Sequence, residues 1–215
     1  MRRCFVLAGL LLLMAGSAFA QDDYPKFETS PAFMYIRTSG QLQQAFVVNG
    51  QVVTSLPSLN CAGGGGTLAY NVTHLVGIAA DLGGCKIFSN AYGAGNKVDG
   101  SLFTYLFGPR LTFRNSSKIQ PFAELNFGGT RASLTCKSSA SNCVNATGGN
   151  SYSKNAFAMT VGGGFDVKLS KKFSLRLVQL EYLYTRFGNN CAAAICSNNN
   201  NQNSLRLKSG IVINW

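Results

Sequence analysis

The chain has 215 residues, 24 of them glycine, and 19 Lys and Arg against eight Asp and Glu, for a formal net charge of +11 at pH 7. Beyond residue 20 no apolar run reaches the roughly 18 residues that a membrane-spanning helix needs, and the glycine content argues against a helical domain. The basic residues are spread along the chain rather than clustered, so there is no nucleic-acid footprint.

Residues 1–20 form a unit of their own. Met1-Arg2-Arg3 is followed by an apolar run from Cys4 to Met14 and by Ala18-Phe19-Ala20. A positive start, a short apolar middle and an A-x-A end predict a secretory signal peptide cleaved after Ala20. Cys4 does not sit at the end of the apolar region, so it is not a lipoprotein acylation site. Arg2 and Arg3 leave with this segment, and 17 basic and eight acidic residues remain, a net charge of +9. The rest reads as a short periplasmic lead-in, 21–26, and one domain, 27–215.

The first predicted strand covers Phe27 to Thr38, with Pro31 near its start or beside a bulge. A long excursion follows to Asn60. Within it Phe46 to Val53, FVVNGQVV, carries the Asn49-Gly50 signal for a hairpin standing above the domain. Strands are expected at Cys61–Val72 and Leu75–Cys85, joined by a few residues around Thr73 and His74. In the strand Leu102–Arg114, Phe103, Tyr105, Phe107, Pro109, Leu111 and Phe113 share one face, and Thr104, Gly108, Arg110, Thr112 and Arg114 share the other. The strand Lys118–Ala132 puts Ile119, Leu125 and Phe127 opposite Gln120, Glu124, Asn126 and Thr130. Ala156–Leu169 alternates similarly. Phe173–Phe187 slips phase at Leu177-Val178, which predicts a bulge.

The last strand, Leu205 to Trp215, alternates without a break. Leu205, Leu207, Ile211, Ile213 and Trp215 oppose Arg206, Lys208, Gly210, Val212 and Asn214. Its ending on an aromatic, with Lys208, Gly210 and Ile213 upstream of Trp215, resembles the C-terminal signal that the barrel-assembly machinery reads in bacterial outer-membrane proteins.

Eight strands with connections alternating long and short predict an all-β, eight-stranded antiparallel up-and-down transmembrane β-barrel behind a signal peptide. Both termini then lie on the short-turn, periplasmic side.

Six cysteines remain after residue 20, an even set in an exported chain, which reads as disulfides with 15 connectivities. Local spacing narrows them. Cys136 and Cys143 bracket a polar segment, Cys191 and Cys196 bracket CAAAIC, and Cys61 and Cys85 lie symmetrically about Thr73, facing each other across one hairpin. No metal-ligand spacing is present, and no cofactor is expected.

The acids give an internal check. Asp22, Asp23 and Asp99 lie outside the strands or at a loop end. Glu28, Asp81, Glu124, Asp166 and Glu181 each fall in a different strand on its inward face. Arg110, Arg114, Lys168, Arg176, Arg206 and Lys208 share that face. A lipid-facing Lys or Arg costs about 2–4 kcal/mol near the bilayer midplane. These charges are therefore expected to fill the lumen as a polar plug of ion pairs, in a barrel just wide enough for side chains.

Segments such as LFTYLFGPRLTFR, KIQPFAELNFGGTR, FAMTVGGGFDVKLS and LRLVQLEYLYTRFG resemble the outer-membrane protein A-like family of eight-stranded barrels, in its acidobacterial-type branch. The resemblance implies the outer membrane and the barrel fold, not an activity. The expected function is a surface-display scaffold with disulfide-bound extracellular loops, no catalysis and no wide pore. Its partners would be outer-membrane lipid, with lipopolysaccharide a candidate at Arg37, Arg131 and Arg186, and the barrel-assembly machinery. The loop partner is not indicated. Two alternatives remain open: a soluble periplasmic, lipocalin-like ligand-binding barrel, and a small lipid-modifying enzyme.

Overall fold

The structure, a computed structural model, describes residues 24–39, 46–48, 51–53, 60–88, 96–138, 143–145, 151–187, 190–192, 195–197 and 201–215. The predicted signal peptide, 1–20, and the predicted turn at Asn49-Gly50 lie outside them. Thirteen strands follow in chain order: β1 Phe27–Ser39, β2 Phe46–Val48, β3 Gln51–Val53, β4 Asn60–Asn71, β5 Val76–Phe88, β6 Asn96–Thr112, β7 Ile119–Ser138, β8 Cys143–Asn145, β9 Ser151–Lys168, β10 Phe173–Arg186, β11 Asn190–Ala192, β12 Ile195–Ser197 and β13 Asn201–Asn214.

Eight of these close an antiparallel barrel in the order β1-β13-β10-β9-β7-β6-β5-β4. Closure pairs every strand on both sides and leaves no open edge, which a bilayer requires of a sheet. The seam is sealed by the first and last strands. Ala32 sits opposite Gly210, and Tyr35 opposite Leu207. At the end of the seam the Trp215 amide donates to the Phe27 carbonyl at 2.9 Å, and the Lys26 amide to the Trp215 carbonyl at 3.1 Å.

Three tight turns lie at the same end as the termini, and local side chains hold them. Thr73 Oγ1 accepts from the Val76 amide at 2.9 Å. Asn115 Oδ1 accepts from the Ser117 amide at 3.1 Å, an Asx-type turn. Ser170 Oγ accepts from the Phe173 amide at 3.1 Å. The long connections leave from the opposite, loop end.

Pro31 falls early in β1. The β1–β13 ladder runs Thr29↔Ile213 and resumes at Ala32↔Gly210, skipping the two residues where a missing N–H would break it. The phase slip in β10 is a bulge: its register against β13 shifts between Arg176 and Gln179, and against β9 between Arg176 and Val178.

Several strands outrun their sequence-based ends, all toward the loop end. β6 starts at Asn96 rather than Leu102, β7 reaches Ser138 rather than Ala132, and β9 starts at Ser151 rather than Ala156. Apolar alternation stops once both faces are wet, but backbone pairing continues, as in Val98↔Cys136.

The β2–β3 hairpin forms at the expected residues and gains a third strand from another connection, β8, with Val47 opposite Val144. Cys61 and Cys85 are disulfide-bonded with Cα atoms 5.5 Å apart. They face each other diagonally, because Cys85 sits opposite Gly63 and Cys61 opposite Ile87. The backbone sets Cys191 opposite Cys196 in β11–β12. The side chains of Cys136, Cys143, Cys191 and Cys196 lie outside what the structure describes.

The large exposed side chains of the barrel wall are apolar, and its buried charges point inward. Phe33 is 60% exposed, Phe107 59% and Leu82 55%, whereas Asp81, Arg110, Arg176 and Arg206 are 1% or less. That is the inverse of a lipocalin-like barrel in water, whose apolar face turns inward, and it removes the soluble alternative.

Candidate functional site: the lumen and its loop-end mouth

Inward positions come from every second residue of each strand, so period-2 geometry delivers the polar set to the axis. Near the turn end six ions form one cluster. Glu28 on β1 pairs with Arg114, whose other arm donates to the His74 carbonyl at 2.7 Å. Asn71 Nδ2 donates to the same Glu28 oxygen at 3.0 Å. Arg110 on β6 reaches Glu28 Oε2 at 3.2 Å, Asp166 Oδ2 at 3.0 Å and Glu124 Oε1 at 3.5 Å. Arg176 grips Asp166 with two bonds, Nε to Oδ1 at 2.8 Å and Nη2 to Oδ2 at 2.9 Å. Gln179 extends the chain, accepting from Arg176 at 2.9 Å and donating to Glu124 at 3.2 Å. The Phe122 ring has the Arg110 and Arg176 guanidinium carbons 4.4 and 4.3 Å from its centroid, a cation–π arrangement in a water-poor interior.

A second cluster holds four ions. Arg206 on β13 is bidentate to Glu181, at 2.7 and 3.0 Å, and its third nitrogen donates to Asp81 Oδ1 at 2.8 Å. Lys208 bonds Asp81 Oδ2 and lies 3.7 Å from Glu181. Thr67 Oγ1 also donates to Asp81, at 2.9 Å.

Both clusters are electrically neutral. Arg110, Arg114 and Arg176 balance Glu28, Glu124 and Asp166, and Arg206 and Lys208 balance Asp81 and Glu181. Buried ions cost several kcal/mol each unless paired and hydrogen-bonded, so neutrality within each cluster is what makes the interior tenable. The pairs also cross the lumen: β13 and β5, which carry Arg206 and Asp81, stand three strands apart around the wall.

Ten of the eleven charges expected inside are there, and one is not. Lys168 has the right parity but lies exposed at the last residue of β9, beyond the end of the lumen. The polar plug occupies only part of the lumen. The loop-end part is apolar, built from Met34, Ile36, Cys61, Cys85, Leu106, Ala158 and Leu183, with Ile87 and Leu102 packed against them. Parity alone finds these residues, and also Phe122 and Asn71, which share the inward face.

Of the residues expected to form an assembly signal, Lys208 belongs to the luminal cluster and Gly210 lies against β1. A Cβ built on Gly210 would collide with the Pro31 carbonyl oxygen and with Ala32. Ile213 and Trp215 are on the outward face, Trp215 73% exposed. His74 is exposed and stands edge-on to Tyr24, ring centroids 6.0 Å apart.

A closed eight-stranded sheet, apolar outside and ion-paired inside, defines a membrane-spanning β-barrel protein. The chain belongs to the outer membrane protein beta-barrel domain family, whose model matches residues 8–209, and its place is the bacterial outer membrane. Among solved structures the chain is similar to Neisserial surface protein A, with TM-score 0.61 and 14% identity over 90% of this chain and 100% of that one. It is also similar to the outer membrane protein OprG from Pseudomonas aeruginosa, with TM-score 0.51 and 12% identity over 90% of this chain and 97% of that one. Ail, the attachment invasion locus protein of Yersinia pestis, aligns with TM-score 0.49 and 13% identity over 87% and 99%. At these identities the likeness is one of fold. No curated protein matches the chain.

Proposed function

We propose that this protein is a closed, non-catalytic scaffold of the outer membrane that displays its loop-end segments on the cell surface. The observation that carries this reading is the lumen: side chains from strands three apart meet across it as neutral clusters, which opposes a wide aqueous path. Residues 1–20 act as the export signal, cleaved after Ala20. The seam residues Gly210, Ile213 and Trp215, with Lys208, serve recognition by the barrel-assembly machinery. Disulfides at Cys136–Cys143 and Cys191–Cys196 brace the displayed segments, alongside Cys61–Cys85.

Two epitope insertions test the topology. A tag within 198–200 is expected to be stained on intact cells, and a tag within 169–172 only after permeabilisation. The reverse pattern overturns the orientation. Passage of sucrose through proteoliposomes that carry the wild-type barrel would overturn the closed-lumen reading.

A second reading concerns lipid. Arg37, Lys86, Arg131 and Arg186 are exposed and lie on β1, β5, β7 and β10, every second strand around the wall. Outward cations just above the apolar belt suit the phosphates of outer-leaflet lipopolysaccharide, since arginine binds phosphate in a planar fork. Changing Arg37, Arg131 and Arg186 together to glutamine should lower the lipopolysaccharide retained by the purified barrel. Equal retention would remove this contact from the account.

A further inference from the structure

The loop-end part of the lumen holds a cavity of about 30 Å³. One water needs roughly 10–15 Å³ by such a measure, so there is room for two or three water-sized groups. Its wall has two characters. Cys61, Ile87, Leu102 and Ala132, from β4, β5, β6 and β7, make one side wholly apolar. Thr38, Ser204, Gln202 and Thr185 come from three successive strands, β1, β13 and β10, and make a polar stripe on the other. Ile36, Leu183 and Phe187 complete the lining.

One buried donor in that stripe is left over among the described residues. Gln202 is 9% exposed, and its Nε2 has no hydrogen-bond partner among the described residues. A buried amide donor left empty costs about 1–3 kcal/mol. Its neighbour Thr185 is already engaged, donating to the Gln202 carbonyl at 3.4 Å. The cup lies apart from the ion clusters: its buried apolar set continues down the strands through Met34, Leu106 and Ala158. None of its lining side chains is ionisable, Cys61 being held in a disulfide.

We propose that this cup binds a small uncharged molecule with an apolar body and one hydrogen-bond-accepting oxygen, a carbonyl or hydroxyl. The apolar wall takes the body and Gln202 Nε2 donates to the oxygen. A charged ligand is disfavoured, because its desolvation finds no counter-charge here. The site is a dead end, and the proposal concerns binding rather than passage.

The test is methyl and side-chain amide NMR on the refolded full-length mature chain in nanodiscs. Acetone is titrated, with its isostere isobutene as the hydrocarbon control. Acetone is expected to shift the Ile36, Ile87, Leu102 and Leu183 methyls and the Gln202 side-chain amide saturably. Gln202→Leu should raise its Kd about threefold to tenfold and leave isobutene unaffected. Ala132→Phe fills the cup and should abolish saturable shifts from both probes. Shifts that never saturate, or that persist in Ala132→Phe, would mean partition into lipid and overturn the proposal. So would an acetone affinity indifferent to Gln202→Leu, which decides alone if Ala132→Phe does not yield a folded barrel.

Discussion

Arg206 and Asp81 are 125 residues apart in the chain, and their side chains meet at 2.8 Å inside the barrel. The same guanidinium holds Glu181 with two more bonds. Arg206 therefore ties β13 to its neighbour β10 and to β5 across the lumen.

Removing it should be costly. Arg206→Met leaves Asp81 and Glu181 with Lys208 as their only described cation. Breaking a buried pair costs about 3–5 kcal/mol, so the urea midpoint of the refolded barrel is expected to fall clearly. Adding Glu181→Gln should recover part of the loss, with a coupling of about 0.5–3 kcal/mol. Strict additivity of the two changes would mean that the pair does not interact in the folded state.

Gly210 is needed for seam closure. A side chain there would drive into the Pro31 carbonyl. Gly210→Val is expected to abolish the compact, heat-modifiable band seen for a folded barrel in unboiled lauryl sulfate gels. Gly84→Ala is the matched control, because its Cβ would meet only Phe103 at an ordinary 3.6 Å. A normal unboiled band for Gly210→Val would refute the steric argument.

The Cys61–Cys85 bond links residues 24 apart. Cross-linking a loop of that length restricts the unfolded chain by about 3 kcal/mol. The double change Cys61→Ala, Cys85→Ala should lower unfolding stability by about that much, while the boiled-versus-unboiled gel shift persists, since the ladder does not depend on the bond. A midpoint identical to wild type would show that the disulfide adds nothing.

The lipid face has a depth profile. Phe107 lies midway along the outward series that starts at Phe103 on β6 and ends at Phe113, just past the strand's last residue, and both it and Phe113 are about half exposed. Phe107→Lys should cost about 2–4 kcal/mol in a bilayer, and Phe113→Lys, beside the turn end, about 0–1. Equal costs from unfolding in lipid vesicles would place the hydrocarbon belt elsewhere along the strand.

Which way each strand faces was legible from period-2 alternation: Phe103, Tyr105 and Phe107 against Thr104 and Arg110, or Ile211 and Ile213 against Val212. The bulge was legible at Leu177-Val178 because a phase slip moves every later residue to the other face. Where the strands end was not. Beyond the membrane both faces are polar, and β6, β7 and β9 carry on by backbone pairing that leaves no hydrophobic trace. Lys168 shows the same limit, since inward parity means nothing once a residue lies past the end of the lumen.

The sequence by itself determined the outward apolar surface, the number of barrel strands and the identity of ten luminal charges, because all three follow from a two-residue period read along one chain. Only the tertiary structure decided their partners. Which charges meet depends on how far each strand is staggered against the next as the sheet closes, a sum over eight registers that no local spacing contains. That stagger sorts the ions into two neutral clusters, carries Arg206 to Asp81, and leaves the loop end to apolar side chains and the unpartnered amide of Gln202.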